Sequence, residues 1–287
     1  MKKILVPSDL SDISENALKM AVDLAGKTNA EIFLINFTDH PIGESFTATG
    51  EIDKKYADEE NIYTVTLVQK NQQQLGVLAS KYSSETLQIN YQVYDEDLKE
   101  GIVHFITDNN IDLVIMGTSG EESTDEFFTG NHTRQVIEVA NCPVITIKEP
   151  YIAPDYNIIA LGLSVDKDRH DNFSVAAEYL NEIAATLNAK VEVVNIIEPG
   201  SDSYAKREEE LNDLMMKCGL KNHTVSIIEH KDKEEGLINF ARERSASLLA
   251  VFTHAEDSFF RIFKSSLSAE LSMSSNIPVV AINLHNI

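Results

Sequence analysis

The residues of this sequence best suited to chemistry are three spaced glycines and the polar residues that follow the last of them. These are Gly117, Gly120, Gly130, Asn131, His132 and Thr133. Glycine lets backbone N–H groups approach an anion without an intervening side chain, and the start of a helix adds unpaired N–H donors and a favourable dipole. The spacing therefore indicates a phosphate site, while the plainer interpretation is that the glycines only turn the chain between a strand and a helix.

A strand and a helix are predicted on either side of this loop. Leu113 to Met116 is an unbroken apolar run, which is typical of a parallel strand covered on both faces. Val136, Ile137 and Ala140 follow the loop at helical spacing, and Pro143 to Ile147 predicts a further buried strand. The loop would thus be held between two strands of one sheet.

Asp9 is a second candidate because it ends the first predicted strand, Lys3 to Val6. Ser11 or Asp12 is expected to cap the helix that follows, and Asn29 is expected to end it. Glu31 to Phe37 predicts the next strand. A β-α-β unit of this kind has parallel strands, and ligands bind at the carboxyl ends of the strands in open α/β sheets. Asp9 would lie at that edge, where a lone Asp also serves commonly as a helix cap or a turn former.

The rest of the first half continues the alternation of strands and helices. We expect a loop or cover from Thr38 to about Asn61, a helix to about Ser83, a strand from Leu87 to Tyr94, a helix from Gly101 to Asn109 and the next strand from Asp112. Five strands result, and the last runs into a polar, proline-flanked stretch that is typical of a linker.

The composition excludes several classes of protein. The formal charge of −22, from 46 acidic and 24 basic residues, argues against a nucleic-acid or anionic-membrane surface. No apolar run resembles a signal peptide or approaches a membrane span, so we expect a cytoplasmic protein. Cys142 and Cys218 lie in no CxxC pattern and are expected to be reduced, structural thiols.

The second half of the chain repeats the first. The stretch that begins at Glu100 aligns without gaps with the stretch that begins at Glu235, and the same register places Asn141 on Asn276. We therefore predict two domains, residues 1–149 and 157–287, joined by a linker at 150–156. The apolar strands Pro143 to Ile147 and Pro278 to Ile282 are expected to pair with each other, because each edge needs cover.

The two copies differ at the candidate site. In the shared register Gly117, Gly120, Gly130 and Asn131 become Phe252, Ala255, Ser265 and Ser266, and Asp9 falls near Ser164. A side chain at each former glycine position would crowd an approaching phosphate, so we expect ligand binding to be lost in the second copy.

The sequence resembles the universal stress protein family in its tandem two-domain form. The resemblance rests on ILVPSDLS with Asp9, on LINF at the end of the second strand, and on Gly117-x2-Gly120-x9-Gly130 followed by a helix and the strand CPVITI. It implies an α/β fold of two tandem open five-stranded parallel sheets, Rossmann-like and similar to the adenine-nucleotide alpha-hydrolases, related by a pseudo-two-fold axis. It also implies a site for ATP or a related adenine nucleotide where the glycine motif is kept.

The family pattern implies a role for each matching residue. Asp9 would contact the ribose or adenine side with Pro7 and Ser8 beside it, the backbone of Phe37 would meet the adenine edge, Met116 and Gly117 would lie under the sugar, and Gly120, Gly130, Asn131, His132 and Thr133 would hold the phosphates. Asn131 departs from the family, which has Ser or Thr at this position, but Asn can also cap a helix.

Metal binding is predicted only as an accompaniment of the nucleotide. Glu121, Glu122, Asp125 and Glu126 could attract the Mg²⁺ of a triphosphate, although exposed loop acids explain them more simply. His132 has no second histidine or cysteine at ligand spacing and is expected to contribute its backbone N–H.

The predicted function is that of a non-enzymatic stress-response sensor or adaptor with nucleotide in the N-terminal domain. We find no SGGxDS-like loop, no GxxxxGKS/T motif and no Ser-His-Asp or Cys-His arrangement, so no residue is assigned as catalytic. Two alternatives remain open, a nucleotide-free protein-interaction module and a weak ATPase. The protein partner is unidentified, and the pseudo-dimer would act alone or as a homodimer.

Overall fold

The structure, a computed structural model, describes residues 1–38, 59–94, 96–118, 130–148, 150–163, 173–200, 204–253 and 277–287. The strands in these ranges are β1 (Lys3–Pro7), β2 (Glu31–Phe37), β3 (Ile89–Tyr94), β4 (Leu113–Gly117), β5 (Val144–Ile147), β6 (Ile158–Gly162), β7 (Lys190–Ile197), β8 (His223–Glu229), β9 (Leu248–Thr253) and β10 (Val279–Asn283). The helices are α1 (Asp12–Thr28), α2 (Glu59–Tyr82), α3 (Leu98–Asn109), α4 (Gly130–Val139), α5 (Ser174–Leu187), α6 (Tyr204–Lys217) and α7 (Lys233–Glu243).

All ten strands form one sheet in the order β3-β2-β1-β4-β5-β10-β9-β6-β7-β8. Neighbouring strands run parallel except at the centre, where β5 and β10 pair antiparallel with Thr146 opposite Val279 and Ile145 opposite Val280. Read outward from this seam, the strands follow the same order on both sides, β5-β4-β1-β2-β3 and β10-β9-β6-β7-β8. This match confirms the predicted fold of two five-stranded copies. The predicted pairing of the two apolar edges is also observed.

Local capping explains where the helices begin and end. The side chain of Ser11 accepts the N–H of Ser14 at the start of α1, and Asn29 ends the helix in the left-handed conformation with φ 55°, as predicted. Helix α3 begins at Leu98 rather than at the predicted Gly101. The reason is Asp97, whose carboxylate accepts the N–H groups of Lys99 and Glu100 and so caps an extra turn.

The central strands are buried on both faces of the sheet. Every residue of β4 is buried, and so are Val136, Ile137 and Ala140 after the glycine loop, as their spacing predicts. Cys142 and Cys218 are buried free thiols, and burial raises the pKa of both. Within the part of the chain that the structure describes, no helix is long and apolar enough to cross a membrane.

The predicted linker is hydrogen-bonded to helix α1 of the first copy. The Tyr151 hydroxyl donates to the Asp23 carboxylate of α1 at 2.7 Å and lies 2.5 Å from the hydroxyl of Tyr156. Tyr156 is buried, and this burial raises its pKa to about 12. The two tyrosines thus tie the predicted linker, residues 150–156, to helix α1, which a polar, proline-flanked composition did not indicate. The predicted domain limits stay a prediction.

Candidate functional site

The candidate site lies at the carboxyl edge of the N-terminal half of the sheet. Strands β1 and β4 are parallel neighbours, so the segments after Pro7 and Gly117 leave the same edge side by side. Pro7 also pairs with Ile35, which brings the end of β2 and Phe37 to this edge. The structure thus gathers six of the predicted site residues in one place: Pro7, Ser8, Asp9, Phe37, Met116 and Gly117.

The turn after β1 is held by a network of buried polar contacts. The Ser8 N–H donates to the Ile35 carbonyl, and the Ser8 carbonyl accepts the side-chain amide of Asn36, both at 2.8 Å. The Ser8 hydroxyl lies 2.9 Å from that of Ser14 in α1. Leu10 is in the left-handed region with φ 68°, a conformation that costs a non-glycine residue about 1 kcal/mol or more. The network therefore maintains a strained turn directly beside Asp9.

Asp9 is partly exposed at the top of this turn. Its Oδ1 accepts the backbone N–H of Ser11 at 3.0 Å and the Ser11 hydroxyl at 2.5 Å. This arrangement matches the turn-forming role, and it also fixes the carboxylate in one orientation. The hydrogen bonds that the described residues make to Asp9 all reach Oδ1, so Oδ2 accepts none from them.

Gly117 has a packing role that the sequence reasoning missed. A Cβ on Gly117 would lie 2.6 Å from Cγ2 of Ile13 and 2.8 Å from the Ile13 carbonyl carbon and oxygen. Helix α1 therefore packs so closely over the end of β4 that only glycine fits there. The predicted role of Gly117, to lie under the sugar of the nucleotide, stays a prediction. A substitution at Gly117 would disturb the packing of α1 whether or not a ligand is bound.

Helix α4 carries the last residues of the predicted phosphate site. It begins at Gly130, so the backbone of Gly130, Asn131, His132 and Thr133 forms its first turn, where N–H groups lack intrahelical acceptors. Thr133 is only 3% exposed, and among the described residues its Oγ1 has no hydrogen-bond partner. A buried hydroxyl without a partner is costly, and a ligand at this end of α4 would satisfy it.

Some predicted residues fall outside the ranges that the structure describes. These are Gly120, the acidic residues Glu121, Glu122, Asp125 and Glu126, and the second-copy residues Ser164, Ala255, Ser265 and Ser266. In the described ranges, no group of three or more acidic, histidine or cysteine side chains is placed to hold a metal ion.

The second copy preserves the scaffold of the site down to single hydrogen bonds. The side-chain amide of Asn195 donates to the Leu163 carbonyl at 2.8 Å, and the Leu163 N–H donates to the Val194 carbonyl at 3.0 Å. These contacts match those that Asn36 and Ile35 make with Ser8. Leu163 therefore occupies the position of Ser8, and the next residue, Ser164, corresponds to Asp9.

Apolar side chains fill the corresponding edge of the second copy. The helix caps Asn29 and Asn188 are equivalent, and Phe173 precedes Asn188 by the same number of positions as Ser14 precedes Asn29. Phe173 therefore takes the place of Ser14. Phe252 takes the place of Gly117, and the rings of Phe173 and Phe252 stack with centroids 5.8 Å apart. Leu163 belongs to the same apolar cluster. A hydrogen-bonded serine pair and a glycine in the first copy are thus replaced by leucine and two phenylalanines.

Comparison with known proteins gives one family for both halves. The family model described as the universal stress protein family matches residues 1–148 and 165–283. A universal stress protein of Methanocaldococcus jannaschii is 28% identical over 151 residues, which cover 52% of this chain and 83% of that protein. This alignment spans one copy of the repeat.

Solved structures match the whole tandem arrangement. A universal stress protein from Archaeoglobus fulgidus DSM 4304 superposes with a TM-score of 0.64 at 16% identity and covers 98% of this chain and 96% of its own. A putative universal stress protein from Pseudomonas aeruginosa UCBPP-PA14 gives a TM-score of 0.56 at 14% identity, with 99% and 93% covered. At these identities the likeness concerns the fold.

Proposed function

Because the chain belongs to the universal stress protein family, we propose that it binds one adenine nucleotide, ATP, in its N-terminal half and acts as a stress-response sensor or adaptor without turning the nucleotide over. The proposal places the ligand at the carboxyl edge formed by β1, β4 and the start of α4. The C-terminal half is the structural partner of this binding half.

The observation that carries the proposal is the contrast between the two copies at equivalent positions. The same asparagine-to-carbonyl hydrogen bond supports both edges, at Asn36 and at Asn195. Among the described residues, the first copy has Ser8, Ser14 and Gly117 beside this bond, whereas the second has Leu163 and the stacked pair of Phe173 and Phe252. Since the scaffold is retained and the polar lining is not, binding by the first copy alone explains the difference.

The groups at the N-terminal edge suit the parts of an adenine nucleotide. Oδ2 of Asp9 would accept a hydrogen bond from a sugar hydroxyl, and the backbone of Phe37 would meet the edge of the base. The first turn of α4 offers N–H donors and the positive end of its dipole to phosphate oxygens. The buried Thr133 hydroxyl would gain the partner that it lacks within the described residues.

A role in binding rather than turnover follows from the parts assigned. Phosphoryl transfer needs a positioned base or a metal clamp near the transferred phosphorus. Within the described residues, Asp9 is the carboxylate assigned to this edge, and it is engaged by Ser11 and assigned to the sugar end. Binding energy without transition-state groups can still shift a conformational population, provided that the two conformations differ in affinity.

Calorimetry on a matched pair of variants tests the proposal. We expect one ATP per wild-type chain, loss of binding in Gly130→Val, where a side chain enters the first turn of α4, and unchanged binding in Ser265→Val at the equivalent position. Two equivalent sites, or wild-type affinity in Gly130→Val, would contradict the assignment to the N-terminal half. No binding at all would favour the interaction module, and steady-state hydrolysis at about 1 per second or faster would favour an enzyme.

A further inference from the structure

The last turn of α4 is capped by side chains from the opposite end of the chain. The side-chain amide of Asn283 donates to the carbonyls of Ile137 at 2.9 Å and Glu138 at 3.2 Å. The side-chain amide of Asn286 donates to Glu138 at 2.7 Å and to Ala140 at 3.3 Å. Both asparagines belong to the second copy, and the helix that they cap belongs to the first.

The two asparagines are held in place by a turn of their own. Asn283 ends β10 and is 3% exposed, and its Oδ1 accepts the backbone N–H of His285 at 3.0 Å. Its carbonyl accepts the N–H of Asn286 at 3.3 Å, and the Leu284 N–H donates to Thr253 at 2.8 Å. The oxygen of the Asn283 amide is thus engaged by the turn, which directs its NH₂ group at α4.

Capping matters for α4 because the helix is short. It has ten residues, and isolated helices of this length are marginal in water. The last four carbonyls of any helix lack intrahelical partners, and here side-chain donors from the second copy satisfy carbonyls in and just after the last turn. The opposite end of the same helix carries Thr133 and the N–H groups assigned to phosphate.

We propose that Asn283 and Asn286 form a clamp that positions α4, so that the C-terminal copy sets the nucleotide affinity of the N-terminal copy. The inference rests on the proposed function for its effect on affinity, while the holding of α4 is independent of any ligand. The asparagines are positioning residues, because they act on the site through the helix.

Hydrogen exchange and calorimetry on the full chain test the clamp. Asn283→Leu keeps the size of the side chain and removes its donor, so backbone amides of α4 should exchange about tenfold faster without ligand, while those of α1 keep their rates. The dissociation constant for ATP should rise by about tenfold as well. Asn286→Ala removes the exposed donor and gives a second variant that does not depend on a core change, and Asn286→Gln, which retains a donor, should recover part of the loss.

Asn195→Leu is the matched control. It removes a buried asparagine from the same half, but its hydrogen bond reaches Leu163 and not α4. Unchanged α4 exchange in Asn283→Leu and Asn286→Ala, or an equal loss of ATP affinity in Asn195→Leu, would overturn the clamp. A wild type that binds no ATP overturns the proposed function and with it the effect on affinity, whereas the exchange rates still decide whether the clamp holds α4.

Discussion

Replacement of Thr133 by valine should change stability and nucleotide affinity in opposite directions. The substitution keeps the shape of the side chain and removes a hydroxyl that is 3% exposed and has no partner among the described residues. A buried polar group without a partner costs about 1–3 kcal/mol. Valine and threonine have similar helix propensities, so that cost is the main difference. We therefore expect the free energy of unfolding of the ligand-free protein to rise by about 1 kcal/mol.

The bound state should respond in the reverse sense. A hydrogen bond to a charged group contributes about 1.5–3 kcal/mol, so its loss should weaken ATP binding by roughly 10- to 150-fold. Chemical denaturation without ligand measures the first effect and calorimetry measures the second. In excess ATP the wild type should regain the advantage, because ligand at free concentration L stabilises the folded state by RT ln(1 + L/Kd), which is larger for the protein with the lower Kd.

Thr146→Val provides the matched control for this prediction. Thr146 is a threonine of similar burial, but its hydroxyl donates to the Val279 carbonyl across the seam at 3.4 Å. We expect Thr146→Val to lower stability modestly and to leave ATP affinity unchanged. The reasoning is refuted if Thr133→Val destabilises the ligand-free protein by about 1 kcal/mol or more, or if it binds ATP within twofold of the wild type.

Three further predictions concern the scaffold. Burial raises the pKa of Cys142 to about 12 from 9.0. The neutral thiol therefore contributes fully to the free energy of unfolding below pH 9, and this contribution is lost as the pH rises toward 12. The difference in unfolding free energy between wild type and Cys142→Ala should narrow by about 1 kcal/mol between pH 9 and 10, and a constant difference would contradict this prediction. Gly26→Ala should stabilise α1 by about 0.5–1 kcal/mol, because a Cβ there meets nothing within 4 Å. Gly101→Ala should destabilise the protein by about 1–3 kcal/mol, because a Cβ would lie 2.5 Å from the Phe37 ring. A urea midpoint below that of the wild type for Gly26→Ala, or one at or above it for Gly101→Ala, would contradict the corresponding prediction.

The sequence predicted the elements whose signals are local. The apolar run at Leu113 and the capping residues Ser11 and Asn29 placed a strand and a helix correctly, because burial on both faces and helix capping depend on neighbouring residues. The internal repeat predicted two copies of one five-stranded fold, and the need to cover two apolar edge strands predicted the central seam. Asp97 was missed as a cap, although Leu98 directly after it is a buried apolar position of α3.

Features that depend on distant contacts could not be predicted in the same way. Gly117 was assigned to the ligand, yet its close neighbour is Ile13, more than a hundred positions away in the chain. The anchoring of Tyr151 on Asp23 and the capping of α4 by Asn283 likewise join residues from different elements. Phe252 was predicted to crowd the second site, but its stacking on Phe173 joins residues from distant parts of the chain and was not predicted.

The antiparallel seam between β5 and β10 has a consequence for how this protein depends on its own abundance. When two separate chains pair through such strands, the fraction paired rises with protein concentration. Here both strands belong to one chain, so pairing is intramolecular and is set by the connection between the halves instead of by expression level. Under the proposed function, nucleotide-binding capacity would therefore grow in simple proportion to the number of chains, without a monomer-to-dimer threshold.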